Sequence, residues 1–471
     1  MRATELARLL QDRELSAIEV LEAHLGQIER LQPQVNAICT LVADEARARA
    51  RELDASSARG GERGLLHGLP IAVKDLELTK GIRTTFGSPI YRDHVPDVDA
   101  LFVERLKAAG AVIVGKTNTP ELGAGSQTFN PLFGPTRNPY DLTKTSGGSS
   151  GGAAAAVACG MLPFADGSDL GGSVRNPPSF CNVVGLRPSP GRIPRWPNLD
   201  PWGSLPVLGP IARNVDDAAL LLSALAGPDP RAPLSIAETG PAFLDPVEGD
   251  LKGVRVAFSP DLGSFPVEKE VVEVLEAALV RLSDLGCFVE RAHPDFRDAA
   301  ETFDTLRAHA FAMAFSNDLD KHRDLMKDTV IWNIERGLAL SAADVARAQV
   351  RRGELYERVR RFMEQDAYEL LLLPVSQVVP FDVETEWVTE IEGVPMDTYV
   401  DWMKSCTFIT LTSLPAMSVP AGFTRDGLPV GLQVVGRYRD ELSVLAFARA
   451  FEAETRFGER RPPIASGPPA S

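Results

Sequence analysis

The sequence predicts an α/β fold, in which helices and buried strands alternate along the chain and pack in layers. The first observation is the stretch VERLKAAGAVIVGKTN (103–118), which reads as a helix, a glycine stop and a buried strand. The second is a strand–helix–strand pattern over 254–258, 267–285 and 287–291. The third is the composition, since 471 residues with 44% hydrophobic and 24% charged side chains are typical of a globular protein with a large core.

The first half of the chain begins with helices and continues with the alternating core elements. Residues 1–60 are rich in Ala, Glu, Arg and Leu and predict two or three helices that end at Arg59-Gly60-Gly61. The predicted elements that follow are a strand in GLPIAVKD (68–75), the helix and strand in 103–118, a short helix in AAAAVA (153–158) and a proline-rich loop over 187–210.

The second half opens with a composition that predicts a long surface connection over 227–250. After the strand–helix–strand unit, the highly charged residues 297–365 are predicted to be helical. The remaining predicted elements are a buried strand in LLLLPVSQVVP (370–380), two strands within 404–437 joined by a turn at Arg425-Asp426-Gly427, a helix over 440–454 and a proline-rich tail that we expect to fray.

The net charge of −15 excludes two classes of partner. Nucleic acids and anionic membranes both bind basic surfaces, so we expect neither as a partner. The charged N-terminal residues do not form a secretory leader, and no run of about 18 apolar residues occurs, which favours a cytoplasmic location. Dispersed histidines predict no metal site, and five scattered cysteines predict free thiols in a reduced compartment: Cys39, Cys159, Cys181, Cys287 and Cys406.

The stretch from Thr145 to Arg175 contains two glycine-flanked serines, Ser149 in GGSSGG and Ser173 in GGSVR. Glycine on both sides of a serine allows a sharp turn and lets main-chain N–H groups approach a reacting carbonyl. A serine hydroxyl is a weak nucleophile unless a neighbouring group takes its proton. The chain must therefore supply a base close to these two turns.

Lys74, at the end of the apolar run LPIAVKD, is the candidate base. Burial lowers the pKa of a lysine because the charged form loses hydration, and an uncharged lysine can accept a proton. The alternative is a purely structural lysine that pairs with Asp75 at the strand end. For the glycine-rich run, a phosphate-binding loop is disfavoured because the required Gly-Lys-Ser/Thr is missing. A second alternative is that the glycines only permit tight packing, but this would leave the two serines unexplained.

Five segments together resemble the amidase signature family. They are GLPIAVKD, NPLFGPTRNPYD, GGSSGGAAAAVA, DGSDLGGSVRNPPSFCNVVGLRPS and PAMSVPAGFTRDGLPVGLQVVG. The resemblance implies a mixed central β-sheet flanked by helices on both faces. It also implies one domain over 1–471, with N-terminal helices (1–60), a catalytic core (68–225), a variable substrate-shaping region (228–400) and C-terminal strands and a helix that complete the core (404–455).

The resemblance assigns a catalytic triad to Lys74, Ser149 and Ser173. Ser173 would be the nucleophile, Ser149, which follows a cis peptide bond in this family, would bridge the other two, and Lys74 would be the base. The oxyanion hole falls on the backbone N–H groups of Leu170, Gly171, Gly172 and Ser173. Four further residues are expected to support the site: Ser150, Ser168, Asp169 and Arg175.

The function implied by the resemblance is hydrolysis of amide C–N bonds through an acyl-enzyme, with aryl esters and carbamates as further substrates. The alternative is the glutaminase component of a tRNA-dependent amidotransferase, although the YDGVRYG-like stretch typical of that component is not found in 297–365. A non-catalytic binding module is disfavoured by the intact triad. No cofactor is expected, and the oligomeric state stays open, with a homodimer as one alternative.

Substrate preference is expected to depend on the less regular segments. The acyl side of the pocket is predicted to be lined by Gly123, Ala124, Gly125, Ser126 and Gln127. Aromatic residues and Met313 in the later loops and helices are candidates for a roomy apolar wall: Trp196, Trp202, Trp332, Trp387 and Trp402.

Overall fold

The computed structural model describes residues 1–244 and 251–466 of the chain. The surface connection expected over 227–250 and the tail expected to fray therefore lie partly outside the described residues. Inside them, the tail contains two short 3₁₀ turns, Phe457–Glu459 and Pro463–Ala465, and Ile464 packs against the core. For these residues the prediction of a frayed tail is wrong, because apolar contacts hold the segment down.

Helices and strands alternate through the described part of the chain. The α-helices are α1 (Ala3–Gln11), α2 (Ala17–Val35), α3 (Ala43–Ala58), α4 (Leu101–Ala108), α5 (Gly151–Ala158), α6 (Asn176–Phe180), α7 (Val215–Leu225), α8 (Lys269–Asp284), α9 (Ala299–His322), α10 (Asp328–Leu338), α11 (Ala342–Gln365), α12 (Lys404–Thr412) and α13 (Glu441–Thr455). The strands are β1 (Ile38–Leu41), β2 (Pro70–Lys74), β3 (Val112–Thr117), β4 (Phe164–Asp169), β5 (Val184–Arg187), β6 (Val207–Ala212), β7 (Arg255–Phe258), β8 (Phe288–Arg291), β9 (Leu370–Pro374), β10 (Glu390–Ile391), β11 (Val394–Pro395), β12 (Ala416–Phe423) and β13 (Pro429–Val435).

The central sheet has eight strands in the order β4-β6-β5-β12-β13-β9-β7-β8. Strands β9, β7 and β8 are parallel at one edge, whereas the neighbours from β4 to β9 are antiparallel. A smaller sheet has the order β1-β3-β2, with β2 parallel to β3. The prediction of an α/β fold with a mixed central sheet is confirmed.

Strand β9 shows how the central sheet is covered on both faces. Its leucines are all buried, and successive side chains of a strand point to opposite faces. Leu370 and Leu372 belong to the core that contains α7, α8 and α13. Leu371 and Leu373 belong to the core that contains α9, α11 and α12. A strand between two helical layers has no solvent-facing side, which explains its uninterrupted apolar sequence.

The structure differs from the sequence predictions in several elements, of which two are instructive. Residues 404–412, predicted to begin a strand pair, form α12 instead, and the pair begins only at Ala416. All residues of this helix from Ser405 to Thr412 are buried, so no polar face reveals the helical period. The N-terminal 60 residues also contain β1, a four-residue strand that pairs antiparallel with β3.

The other predicted elements of the second half are confirmed. Strand β7, helix α8 and strand β8 form the predicted strand–helix–strand unit, and β12 and β13 meet at the predicted turn. Within residues 1–244 and 251–466, no helix has the length and apolar character that would cross a membrane. The five cysteines form no disulfide bond in this structure.

Candidate active site

Lys74 is the last residue of β2 and is fully buried. Its backbone N–H donates to Asp166 Oδ1 of β4 at 3.0 Å, which aligns the end of β2 with the edge of the central sheet. Asp75 accepts its side-chain hydrogen bonds from Thr85, from the backbone N–H and from the hydroxyl. Among the described residues Lys74 forms no ion pair, so the alternative of a Lys74–Asp75 pair is not supported.

The Lys74 ammonium group is surrounded by hydroxyl groups. Nζ lies 2.8 Å from Ser149 Oγ, 2.8 Å from Ser150 Oγ and 3.2 Å from Ser168 Oγ. Burial lowers the pKa of Lys74 to about 8, although the charges of Glu77, Asp166 and Asp169 act in the opposite direction. A lysine with this pKa is partly uncharged near neutral pH and can take a proton from a hydroxyl group.

Ser149 lies in the tight turn that precedes α5, after a cis peptide bond between Gly148 and Ser149. Gly147 has a φ of +75°, and a Cβ there would lie 2.5 Å from Asn176 Oδ1. A Cβ at Gly148 would lie 2.7 Å from the backbone nitrogen of Gln127. The two glycines are therefore required for the chain to pass between these neighbours, and they place Ser149 beside Lys74.

Ser173 lies in the loop between β4 and α6, and is almost fully buried. The loop turns at Gly172, where φ is +115° and an added Cβ would lie 2.6 Å from Cys406 Cβ. Strand β4 also supplies Ser168 at its end, so one strand-to-loop junction carries both Ser168 and Ser173. Ser149 and Ser173 line the same cavity.

Asp169 holds this loop in shape. Its carboxylate accepts hydrogen bonds from the Gly172 N–H at 3.0 Å and the Val174 N–H at 3.1 Å. It also forms ion pairs with Arg175 at 2.9 Å and Arg187 at 3.1 Å, and all three side chains are fully buried. Burial would raise the pKa of Asp169, but the two guanidinium groups hold the pKa well below its ordinary range. The carboxylate is therefore ionised at neutral pH.

The hydrogen bond from the Gly172 N–H to Asp169 leaves fewer candidate oxyanion donors. In this structure the Gly172 N–H donates to a carboxylate oxygen of Asp169, which differs from its predicted role as an oxyanion donor. The N–H groups of Leu170, Gly171 and Ser173 are left from the predicted set. These three residues line the cavity, whereas Gly172 does not.

The cavity beside the serines has a volume of about 440 Å³. Of the predicted pocket residues, Gly123, Gly125 and Ser126 line it. Ala124 and Gln127 do not: the Ala124 carbonyl accepts from Lys327 Nζ, and Gln127 Nε2 donates to the Val383 carbonyl. The acyl-side loop is therefore near the site, but two of its five residues face away from the cavity.

The apolar wall differs from the one predicted. Met313 and residues 197–199 line the cavity, but none of the five tryptophans does. Trp402 is buried against Phe381, and Trp332 packs against Tyr399. The apolar side chains on the wall that sequence reasoning missed include Leu76, Phe86, Leu122, Leu306, Phe311 and Phe315. Three of them, Leu306, Phe311 and Phe315, come from α9, but their spacing does not follow one helix face, so the sequence does not mark them as a group.

Three arginines on the cavity wall were also missed: Arg195, Arg307 and Arg352. No motif marks them: Arg307 is the single arginine of α9, Arg352 is one of six in α11, and Arg195 lies in a loop. As for metals, the described residues contain no group of three His, Cys, Asp or Glu side chains that could hold an ion.

The comparisons with known proteins agree with this geometry. The family model described as Amidase matches residues 19–445. An acylamidase of Rhodococcus erythropolis is 37% identical over 98% of this chain and 97% of its own length. A glutamyl-tRNA(Gln) amidotransferase subunit of Moorella thermoacetica is 36% identical over 98% of both chains.

Among solved structures, a bacterial aryl acylamidase of the amidase signature family superimposes with a TM-score of 0.91 at 29% identity. The superposition covers 100% of this chain and 99% of the aryl acylamidase. A family match over most of the chain, relatives of the same length and a shared fold lead to one conclusion. The chain belongs to the amidase signature family of enzymes, which hydrolyse amide C–N bonds.

Proposed function

We propose that this protein is a stand-alone amide hydrolase that works through an acyl-enzyme, with Ser173 as nucleophile, Ser149 as bridging hydroxyl and Lys74 as base. The observation that carries the proposal is a buried lysine whose Nζ lies 2.8 Å from Ser149 Oγ, beside a cavity that Ser173 also lines. The similarity to an acylamidase over the full length supports the same reaction.

In the first half-reaction, uncharged Lys74 accepts the proton of Ser149, and Ser149 accepts the proton of Ser173. Ser173 Oγ then forms a bond with the substrate carbonyl carbon. The carbonyl oxygen becomes an oxyanion, which the N–H groups of Leu170, Gly171 and Ser173 stabilise by hydrogen bonds. Because the buried Asp169 holds the loop that carries these three N–H groups, they need little reorganisation when the negative charge develops.

Collapse of the tetrahedral intermediate breaks the C–N bond. The proton stored on Lys74 returns through Ser149 to the leaving nitrogen, so that a neutral amine departs. In the second half-reaction, water attacks the Ser173 ester and gives a proton through Ser149 to Lys74. The bond between the acyl carbon and Ser173 Oγ then breaks, the carboxylic acid departs, and the proton returns through Ser149 to Ser173 Oγ. Ser150 and Ser168 accept hydrogen bonds from Lys74 and keep its amino group directed at Ser149.

A second candidate function is the glutaminase component of a tRNA-dependent amidotransferase. The observation that favours it is the 36% identity to a subunit of such an enzyme over nearly the whole chain. The same three groups would then hydrolyse the side-chain amide of glutamine and pass ammonia to a partner. Aryl esters and carbamates are further proposed substrates, because their carbonyl groups accept the same nucleophile.

The test is a substrate panel assayed without partner proteins: p-nitroacetanilide, p-nitrophenyl butyrate, a p-nitrophenyl carbamate and glutamine. We expect turnover of the anilide, and a loss of at least about 1000-fold in the Ser173→Ala variant. Ser264→Ala, at an exposed loop serine, is the matched control and should keep full activity. Far-ultraviolet circular dichroism checks that both variants are folded.

Three results would contradict parts of the proposal. Activity that persists in Ser173→Ala excludes this residue as the nucleophile. Turnover of glutamine alone favours the amidotransferase component. No turnover of any amide by the folded protein contradicts the stand-alone hydrolase.

A further inference from the structure

Arg307 is a buried guanidinium group on the cavity-facing side of α9. The side chain is 5% exposed and lines the cavity that contains Ser149 and Ser173. Its Nη2 donates to Tyr399 Oη at 2.6 Å, and its Nε has no hydrogen-bond partner among the described residues. No carboxylate within residues 1–244 and 251–466 forms a salt bridge with it.

The contacts of Arg307 are neutral. Tyr399 Oη also accepts a hydrogen bond from Asn333, so this oxygen already serves two donors. The rings of Phe311 and Tyr399 lie 4.6 and 5.5 Å from the guanidinium carbon. Asp304, one turn earlier on α9, is ion-paired with Arg336 at 3.5 Å. Aromatic faces and one hydroxyl oxygen offset only part of the cost of burying a cation.

Three of the four other buried arginines in the described part of the chain have carboxylate partners, whereas Arg213 donates only to backbone carbonyls. Arg175 and Arg187 share Asp169, and Arg192 pairs with Glu441 at 2.7 Å. Arg307 differs from them in facing a cavity rather than a carboxylate. A second arginine on the same wall, Arg352, donates only to neutral oxygens, those of Leu411, Ser204 and Ser413. The cavity is also lined by the carboxylates Glu77 and Asp200, but neither Arg307 nor Arg352 forms an ion pair with a described side chain.

We infer that the preferred substrates are amides that carry a carboxylate, and that Arg307 binds this carboxylate. The inference rests on the proposed function, because it names the substrate class of the same site. A carboxylate fits a guanidinium group through charge-assisted hydrogen bonds, and no described carboxylate occupies the Arg307 guanidinium. The apolar side chains around it would pack against the carbon chain that joins the carboxylate to the amide.

The experiment compares each carboxylate substrate with an uncharged isostere. Glutaric acid mono-p-nitroanilide against its primary carboxamide places the charge on the acyl side. 4-(Butyrylamino)benzoate against 4-(butyrylamino)benzamide places it on the amine side. We expect at least about tenfold higher kcat/KM for the carboxylate member of one pair, expressed mainly in KM. Arg307→Met should lower this preference about 10- to 100-fold, and Arg307→Lys should restore part of it.

Arg347→Met is the matched control, since it removes an arginine of the same helical layer that does not line the cavity, and it should keep the preference. Amide turnover without preference in either pair overturns the inference and leaves the proposed function standing. A preference that Arg307→Met does not change also overturns it. If the protein hydrolyses no amide, calorimetric titration with glutarate tests the carboxylate site separately. Binding of glutarate that is at least about tenfold weaker in Arg307→Met than in the unmodified protein supports the site. Equal binding by the two proteins, or no binding, overturns it.

Discussion

At the scale of single residues, the surroundings of Lys74 set its affinity for a proton. Loss of hydration favours the uncharged amine, whereas Glu77, Asp166 and Asp169 favour the ammonium ion. The balance leaves the pKa at about 8 instead of the ordinary value of 10.5. A stronger depression would make the amine too weak a base, and an ordinary lysine would be protonated at neutral pH.

The pKa of Lys74 predicts the pH dependence of amide hydrolysis. With the uncharged amine as the proposed base, kcat/KM should rise about tenfold per pH unit below pH 8 and level off above it. Lys74→Ala should lose most activity at neutral pH, and its deficit should shrink between about pH 8 and pH 10, where hydroxide partly replaces the amine. Initial rates of anilide hydrolysis from about pH 6 to pH 10 measure both effects. A constant deficit over the alkaline range would contradict a proton-accepting role.

Gly172 and Gly171 form a natural pair for testing the backbone of the loop that carries Ser173, the proposed nucleophile (the nucleophile loop). A Cβ at Gly172 would meet Cys406 Cβ at 2.6 Å and Sγ at 2.8 Å, in a conformation with φ of +115°. A Cβ at Gly171 would find its nearest atom, Phe303 Cζ, at 3.4 Å. We therefore expect Gly172→Ala to lower the free energy of unfolding by about 1–3 kcal/mol, and Gly171→Ala to lower it by less. Equal losses in urea unfolding would show that the loop adapts.

At the scale of elements, the junction between β4 and α6 is built around one carboxylate. Asp169 joins the end of β4 to the N–H groups of the loop, to Arg175 just before α6 and to Arg187 of β5. Arg175 continues the network to Gln433 of β13 and Thr410 of α12. The nucleophile loop is thus fixed by groups from four separate elements.

Asp169→Asn should be strongly destabilising, since it leaves Arg175 and Arg187 buried without a countercharge. We expect a loss of about 3–5 kcal/mol in the free energy of unfolding at pH 7. Because the folded-state pKa lies below the unfolded value of about 3.9, the stabilisation is complete above that value and declines as the pH falls through the folded-state pKa. The difference from the unmodified protein should therefore persist at about pH 5 and shrink below about pH 4.

Urea unfolding at several pH values checks this expectation. Asp12→Asn, which removes an exposed ion pair with Arg8, is the control and should cause a much smaller loss. A pH-independent difference for Asp169→Asn would mean that its carboxylate does not act as a buried charge.

The elements that could be predicted are those whose sequence shows a regular apolar pattern and turn residues at its ends. Strand β2, helix α8 and the β12–β13 pair show apolar runs bounded by turn residues. Helix α12 could not be recognised, because KSCTFITLT is rich in β-branched residues and is buried on nearly every side. Strand β1 has only four residues, and its pairing with β3 is a tertiary contact. In both cases packing overrides local propensity.

The site residues that lie in sequence motifs could be predicted. The direction in which a side chain or an N–H group points could not. Lys74 and Ser149 lie in recognisable motifs and are in contact in the structure. The direction of the Gly172 N–H follows from a hydrogen bond to Asp169, and spacing cannot indicate it. Arg307 resembles any surface arginine of a charged helix until the position of Tyr399, 92 residues away, is known.

At the scale of the whole molecule, the central sheet is the layer that both cores share. The core with α13 and the core with α9 lie on opposite faces of β9, β13 and β12. Lys74 lies at the edge of this sheet, whereas two of the cavity arginines, Arg307 and Arg352, come from the layer of α9 and α11. The active site therefore depends on both layers being folded.

This organisation predicts a single cooperative unfolding transition. Leu371 and Leu372 are adjacent in β9, fully buried, and belong to opposite cores. Each Leu→Ala substitution should cost about 2–5 kcal/mol, because it removes apolar contacts and leaves a cavity. If the cores unfold together, both variants shift the same transition by similar amounts, whether tryptophan fluorescence or far-ultraviolet circular dichroism is followed. Leu338→Ala, at an exposed position on α10, should change little. Two separate transitions, each sensitive to one variant, would mean that the faces fold as independent units.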